Sequence, residues 1–266
     1  MTGAPHWADA YYGELYLASV ADLLGPRLSA LEAEAVAALL GLRAGDRVLD
    51  LACGHGRHAR VLAERGAAVA GLDRSAAYLR LAAGRARPAA GPGGGDRRAH
   101  PGPAWVRGDV RALPFHDGSF DAAFSWYASL FMFDDATNAA CLAEAGRVVR
   151  RGGRLVVQHA NPLRLAKEPV AAARRDLPDG SRVEEESSYD PAAGVDRCAR
   201  RLVRPDGTVL AGTAELRYYI PAEWGPLAES AGLRLLELTT TPDAGRTARR
   251  EPGPDAPDLI ALLEKK

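Results

Sequence analysis

The sequence predicts an α/β protein with a doubly wound, mostly parallel sheet and an antiparallel β insertion after the fifth strand. Three observations carry this expectation. Residues 48–59, VLDLACGHGRHA, read as an apolar strand, a glycine turn and the start of a helix, the opening unit of a nucleotide-binding α/β sheet. Strand-like and helix-like segments then alternate as far as residue 160, which favours parallel pairing. Beyond that point the pattern changes to short polar–apolar alternation with turn residues, the mark of antiparallel hairpins.

Residues 1–45 precede the sheet. HWADAYYGELYLASVADLLG reads as a helix, with Trp7, Tyr11, Leu15 and Ala18 spaced three and four apart, and LSALEAEAVAALLGL reads as a second. The first strand runs into Asp50, and the turn after it holds Gly54 and Gly56. Gly54, Gly56 and Ala59 fit the spacing of a dinucleotide fingerprint, but Asp50 lies four residues before Gly54, where an anion opposes a pyrophosphate and attracts a cation. A second strand over 67–73 ends in Asp73, placed to accept two hydrogen bonds from ribose hydroxyls.

The connection over 84–104 is dense in glycine and proline and poor in anchoring apolar residues, so a flexible surface loop is expected there. A third strand over 105–107 stops at Gly108-Asp109-Val110, where a carboxylate and free amides can meet the edge of an adenine. The turn HDGS announces a fourth strand, Phe120–Ser125. A helix over about 138–149 ends at RRGG, and a fifth strand follows over 154–159. SRVEEESSYD, GVDRCARRLV and TVLAGTAELRYYI predict a three-stranded antiparallel insertion over 181–220. PAEWGPLAESAG then opens with proline and closes with glycine as a helix does, and LRLLELTT and PDLIALLEK give two final strands.

The segments VLDLACGHGRHA, VAGLD, GDVRALPFHDGSFDAAFS and RVVRRGGRLVV resemble, in order and spacing, the class I S-adenosylmethionine-dependent methyltransferases over roughly residues 45–160. The resemblance implies a Rossmann-like, seven-stranded sheet and S-adenosylmethionine as cofactor. It implies that Asp50 and the backbone at Cys53, Gly54 and Gly56 hold the methionine end. Asp73 would take the ribose, with Arg74 over the adenine. Gly108, Asp109 and Val110 would meet the adenine edge, and Ser125 would lie under the sulfonium. It also implies an N-terminal helical lid over 1–45, in which Tyr11, Tyr12 and Tyr16 either face the cofactor or simply pack the helix down. Residues 46–266 would form the methyltransferase domain, with the insertion as the wall of the acceptor pocket.

Composition narrows the partners. The 266 residues include 34 basic and 34 acidic side chains, so no net field favours nucleic acid or an anionic membrane. A small-molecule acceptor is expected, with the chain acting as a monomer or homodimer. No stretch reads as a transmembrane helix or a secretory leader, and Cys53, Cys141 and Cys198 are too scattered for a disulfide framework, so a cytoplasmic protein is expected.

Methyl transfer to a nitrogen or oxygen of a small molecule, a secondary metabolite among the options, is the leading function. The alternatives are a nicotinamide-dependent oxidoreductase and a noncatalytic partner protein with the same fold. His159, at the end of the fifth strand, is a candidate base or else a structural histidine. Trp126 and Tyr127 follow the fourth strand, where their rings either attract a sulfonium or acceptor cation or pack beneath the lid. Cys53, His55 and His58 have metal-like spacing but sit inside the cofactor turn, and no metal is expected.

Overall fold

A computed structural model describes residues 7–20, 22–84, 102–241 and 252–266. The central sheet contains β1 (Arg47–Leu51), β2 (Ala68–Asp73), β3 (Ala104–Arg107), β4 (Phe120–Ser125) and β5 (Val149–Ala160), followed much later by β10 (Leu233–Thr239) and β11 (Asp258–Lys265). Its order is β3-β2-β1-β4-β5-β11-β10. The first five strands pair in parallel, while β11 runs antiparallel to both β5 and β10. The order reverses between β1 and β4, the switch point where open α/β sheets bind ligands beyond their strand ends.

Both faces of the sheet are buried, which explains the near-continuous apolar runs in β1, β4, β5 and β11. Val48, Phe124, Val156 and Ile260 point to one face with Val36 and Leu39 of α3 (Pro26–Leu40) and Leu62 of α4 (Arg57–Glu64). Leu49, Ala123, Leu155 and Leu259 point to the other, against Leu142 of α6 (Asp135–Val148) and Trp224 of α8 (Trp224–Ser230). Helix α6 begins where Asp134 accepts from the Thr137 amide at 2.8 Å, an N-cap that satisfies one orphan donor. Helix α5 (Ala76–Gly84) links β2 to the 84–104 connection, of which residues 85–101 lie outside the described residues.

The insertion has four strands rather than the three expected over 181–220. These are β6 (Val170–Asp176), β7 (Arg182–Asp190), β8 (Val195–Val203) and β9 (Val209–Arg217), paired antiparallel in that order after the short helix α7 (Pro162–Leu165). Strand β6, sequence VAAARRD, escapes pattern reading because it is an edge strand with nearly every residue exposed, so no alternation marks it.

The N-terminal helix expected as one piece is two, α1 (Trp7–Tyr11) and α2 (Glu14–Val20), broken at Tyr12-Gly13. They pack on the insertion: Tyr11 and Leu15 share a core with Val183, Cys198, Leu202 and Ala214. Arg200 of β8 stacks over the Tyr11 and Tyr16 rings at 5.1 and 5.2 Å and pairs with Glu185. Among the described residues no helix is long and apolar enough to cross a membrane.

Candidate active site

A cavity of about 370 Å³ opens beyond the carboxyl ends of β1, β2, β3 and β4. Its floor is the turn after β1, where three residues take left-handed backbone: Ala52 (φ 56°), Gly54 (φ 56°) and Gly56 (φ 73°). The Gly54 amide donates to Asp73 Oδ2 at 2.8 Å, and the Ser75 amide donates to Asp73 Oδ1 at 2.8 Å. Asp73 thereby ties the end of β2 to the β1 turn while keeping lone pairs for a ligand. Burial raises its pKa, with the Ser75 and Gly54 amides working in the opposite direction.

Asp50 lines the same cavity at 3% exposure, and its Oδ2 has no hydrogen-bond partner. Burial pushes its carboxyl up to about 8, with the Arg57 guanidinium opposing and the Asp73 charge reinforcing that rise. Cys53 lines the cavity beside it, its thiol lying 3.6 Å from the Gly54 carbonyl and held protonated by burial.

The opposite end of the cavity is formed by Arg74 and by Gly108, Asp109 and Val110 beyond β3. The Gly108 amide donates to the Asp73 carbonyl at 3.1 Å, and a Cβ there would come within 2.8 Å of Leu72. Asp109 accepts from Arg111 through both carboxylate oxygens, at 3.0 and 2.7 Å, and this pairing holds its pKa below the usual carboxylate range.

Aromatic rings close the cavity. Tyr12 and Tyr16 come from the N-terminal segment, Tyr78 from α5, and Trp126, Tyr127 and Phe133 from the segment after β4. The Tyr78 hydroxyl donates to the Gly13 carbonyl at 3.2 Å, fixing the break between α1 and α2 over the site. Tyr127 and Ala128 have φ of 60° and 58°, a strained conformation for non-glycine residues that sets the Tyr127 ring across the opening.

Behind this wall lies a buried ionic network centred on Glu32 of α3. Its Oε2 accepts from Arg57 Nη1 and from His58 Nε2 (3.0 Å), and its Oε1 accepts from the Tyr127 hydroxyl at 2.6 Å. Burial alone would raise the Glu32 pKa, but His58, Arg57 and Tyr127 outweigh it and hold the carboxyl at about 2. Burial lowers the His58 pKa despite the Glu32 partner, so the ring is a neutral donor. Arg57 also lies 5.2 Å over the Tyr127 ring, and its Nη2 has no hydrogen-bond partner.

The structure therefore brings Asp50, Cys53, Gly54, Asp73, Arg74, Gly108, Asp109, Val110, Trp126 and Tyr127 to one cavity. Four expected site residues are placed elsewhere. His159 is fully buried between Tyr218 and Trp224, stacked at 5.6 Å from each, with Nδ1 on the Ala160 carbonyl at 2.7 Å. Burial drives its pKa down to about 4, and it lines neither cavity described here. Its position at a strand end was read correctly, but its side chain turns into the core.

Ser125 is likewise fully buried, outside the cavity lining, with its hydroxyl unpartnered. Tyr11 faces the insertion, its hydroxyl 3.3 Å from Cys198 Sγ, while its neighbours Tyr12 and Tyr16 face the cavity. Gly56 is outside the cavity lining; the turn requires it at φ 73°, and a Cβ there would meet the Trp105 ring at 2.2 Å. Glu32, Arg57, Tyr78 and Phe133 escaped the sequence reading. Only Arg57 carried a signal, a cation directly after the glycine turn.

A second cavity of about 590 Å³ lies on the other side of Met132 and Phe133, between the start of α6 and strands β8 and β9 of the insertion.

Comparison with known proteins agrees with this geometry. The sequence model of a methyltransferase domain matches residues 48–153. A demethylmenaquinone methyltransferase from Beutenbergia cavernae is 38% identical over 136 residues, covering 51% of this chain and 50% of that protein. The chain thus spans about half the length of the curated relatives it matches. The solved structure of the CcbJ methyltransferase from Streptomyces caelestis is 25% identical with a TM-score of 0.75, covering 97% of this chain and 98% of that one. An amino pentose methyltransferase from Micromonospora echinaspora, solved with S-adenosylmethionine bound, is 21% identical with a TM-score of 0.59 over 100% and 99% of the two chains. With its sheet order, its glycine turn and the acids ending β1 and β2, the chain carries a methyltransferase domain over residues 48–153 and shares the fold of solved S-adenosylmethionine-dependent methyltransferases.

Proposed function

We propose that this chain transfers the methyl group of S-adenosylmethionine to a nitrogen of a small-molecule amine. The observation that carries the cofactor assignment is Asp50, a buried carboxyl with an open oxygen at the glycine turn, facing the same cavity as Asp73. Two acids at this floor suit a cationic nucleoside without phosphate and disfavour a pyrophosphate, which weighs against a nicotinamide dinucleotide. Asp73 would accept from the ribose hydroxyls, and Asp109 with the Val110 amide would meet the adenine. Arg74 would lie over that base. Gly54 and Cys53 would offer backbone to the methionine end, with Trp126 and Tyr127 beside the sulfonium.

S-adenosylmethionine bound there supplies an electrophilic methyl group carried on a sulfonium. What remains for the protein is to align an acceptor and exclude water, and alignment of this kind rewards a reaction by roughly 7 to 11 kcal/mol. Tyr12 and Tyr16 would act as the lid, and Met132 and Phe133 as the partition toward the insertion, where the second cavity has room for the rest of the acceptor.

Nitrogen is favoured over oxygen by the character of the nearby groups. A hydroxyl acceptor gains from a general base, typically 100- to 10,000-fold. Glu32, held at about 2 and engaged three ways, is a weak base, and His159 lies in the core. A neutral amine is nucleophilic unaided.

The test is methyl transfer from S-adenosylmethionine carrying a labelled methyl group to a panel of amino sugars and other primary and secondary amines, run beside their hydroxyl counterparts. Label is expected in the amines alone. Transfer confined to hydroxyl acceptors would overturn the nitrogen assignment.

A further inference from the structure

We propose that Gln158 and Asp258 are positioning residues for the transfer reaction: Gln158 pins the Tyr127 backbone so that its ring stands across the cavity mouth, and Asp258 fixes which way the Gln158 amide faces. The proposal rests on the reading that methyl transfer takes place in this cavity, and it adds to that reading two residues outside the cavity lining.

Tyr127 and Ala128 are consecutive non-glycine residues at φ 60° and 58°, a conformation that crowds Cβ against the following carbonyl. Such a pair persists only where its surroundings over-determine it. Core burial does not hold Tyr127, which is 41% exposed. Its main chain is held by one residue of β5. Gln158 Oε1 accepts from the Tyr127 amide at 2.7 Å, and the Gln158 carbonyl accepts from the Ala128 amide at 2.9 Å. At the far end of the side chain the Tyr127 hydroxyl donates to Glu32, and Arg57 lies over the ring, so Tyr127 is fixed at both its backbone and its hydroxyl.

Gln158 does this only with its amide turned one way. Oε1 faces Tyr127, which puts Nε2 toward β11, where it donates to Asp258 Oδ2 at 3.0 Å. Asp258 is itself immobilised. Its Oδ1 accepts from the Thr240 hydroxyl at 2.7 Å and from the Thr241 amide at 2.8 Å, and its Oδ2 also accepts from the Thr241 hydroxyl. Gln158 and Asp258 are both buried, so a flipped amide would set donor against donor at Tyr127 and acceptor against acceptor at Asp258 with no water to relieve either. A methionine at 158 supplies neither contact. Exchanging the two head groups keeps both, because a carboxylate at 158 still accepts from Tyr127 while an amide at 258 donates to it, and the Thr241 hydroxyl can reverse its role.

The experiment uses the full chain labelled with 3-fluorotyrosine, in which the Tyr127 fluorine signal is the one missing from Tyr127→Phe. In Gln158→Met that signal is expected to move. Turnover of methyl-labelled S-adenosylmethionine with an amine that the wild type accepts is expected to fall about 10- to 100-fold, while S-adenosylhomocysteine affinity changes by about threefold or less, the split of lost alignment rather than lost binding. The double variant Gln158→Glu with Asp258→Asn should bring the signal and the turnover back toward wild type.

A Tyr127 signal unmoved in folded Gln158→Met would overturn the proposal, as would a moved signal with unchanged turnover. If Gln158→Met does not fold, the double variant decides: a Tyr127 signal displaced from its wild-type position there would overturn the assigned hydrogen-bond pattern. Absence of turnover in the wild type would overturn the transfer reading and the part of this proposal that concerns transfer, while the fluorine signal still decides whether Gln158 pins Tyr127.

Discussion

Asp73 illustrates how one side chain serves fold and ligand together. Its oxygens already accept the Gly54 and Ser75 amides, so Asp73→Ala removes both a ligand acceptor and a tie across the cavity floor. We expect S-adenosylhomocysteine affinity to fall by about 1.5 to 3 kcal/mol, together with a lower thermal midpoint, read by calorimetry and thermal unfolding. Unchanged affinity in a folded variant would remove the ribose assignment.

Asp50 gives a pH-dependent signature of the same site. In the ligand-free protein its carboxyl sits at about 8, above its ordinary value of 3.8, so ionising it costs stability progressively as pH rises between those limits. A cation bound at Oδ2 favours the ionised form. At pH 7 binding should therefore release up to about one proton per site, seen as a dependence of the calorimetric heat on the ionisation enthalpy of the buffer. Identical heats in phosphate and Tris, once corrected for ligand protonation, would contradict the assignment.

Glu32 works in the opposite direction. Its folded pKa of about 2 lies below the ordinary 4.5, so the stabilisation is complete above about pH 4.5 and is lost as pH falls toward 2. For a side chain only 8% exposed this is worth on the order of 3 kcal/mol at neutral pH. Glu32→Gln should lose that acid limb and, by leaving Arg57 uncompensated, cost about 3 to 5 kcal/mol at pH 7. Urea unfolding across pH 3 to 7 reads both effects, and an unchanged acid limb would contradict the assigned role.

At the scale of elements, the turn between β1 and α4 is the most constrained piece of the molecule. Gly56 combines a left-handed backbone with the Trp105 ring packed where a Cβ would stand, and a Cβ at Gly71 on β2 would meet the same ring at 2.6 Å. Gly56→Ala should destabilise by about 2 kcal/mol or more, from overpacking added to backbone strain, and should displace Trp105, shifting its fluorescence. A variant as stable as wild type would show that the ring moves aside without cost.

The parallel strands were readable in sequence because they are buried on both faces and so keep continuous apolar runs, as in Val48, Leu49 and Leu51. Strand β6 was not, because an exposed edge imposes no pattern on VAAARRD. His159 and Ser125 show a further limit. A strand-end position fixes where a residue lies along the sheet but not which way the following loop lets its side chain turn, and here Tyr218 and Trp224 enclose the imidazole. The Glu32 network was hidden for a different reason: its members come from α3, α4 and the segment after β4, far apart in the chain, and only the tertiary fold brings them together.

Across the whole molecule, the site is assembled from three layers. The strand ends supply acids and backbone, α3 and α4 supply a rigid charged support, and the N-terminal segment with α5 and the segment after β4 supplies an aromatic roof. The insertion and the N-terminal helices share one core through Tyr11, Leu15 and Cys198, so the roof is anchored to the wall assigned here to the acceptor. With 34 charges of each sign, the chain has no global field to gather a polyanion, and selection falls to the short-range groups in the cavity.

The central claim is that this cavity is built for a cationic nucleoside without phosphate. Its most direct test is calorimetric titration of the full chain with S-adenosylmethionine and, under the same conditions, with NAD and NADP. The structure predicts saturable binding of S-adenosylmethionine at one site and no saturable heat from either dinucleotide. Binding of a dinucleotide in place of S-adenosylmethionine, or no binding of S-adenosylmethionine, would contradict it.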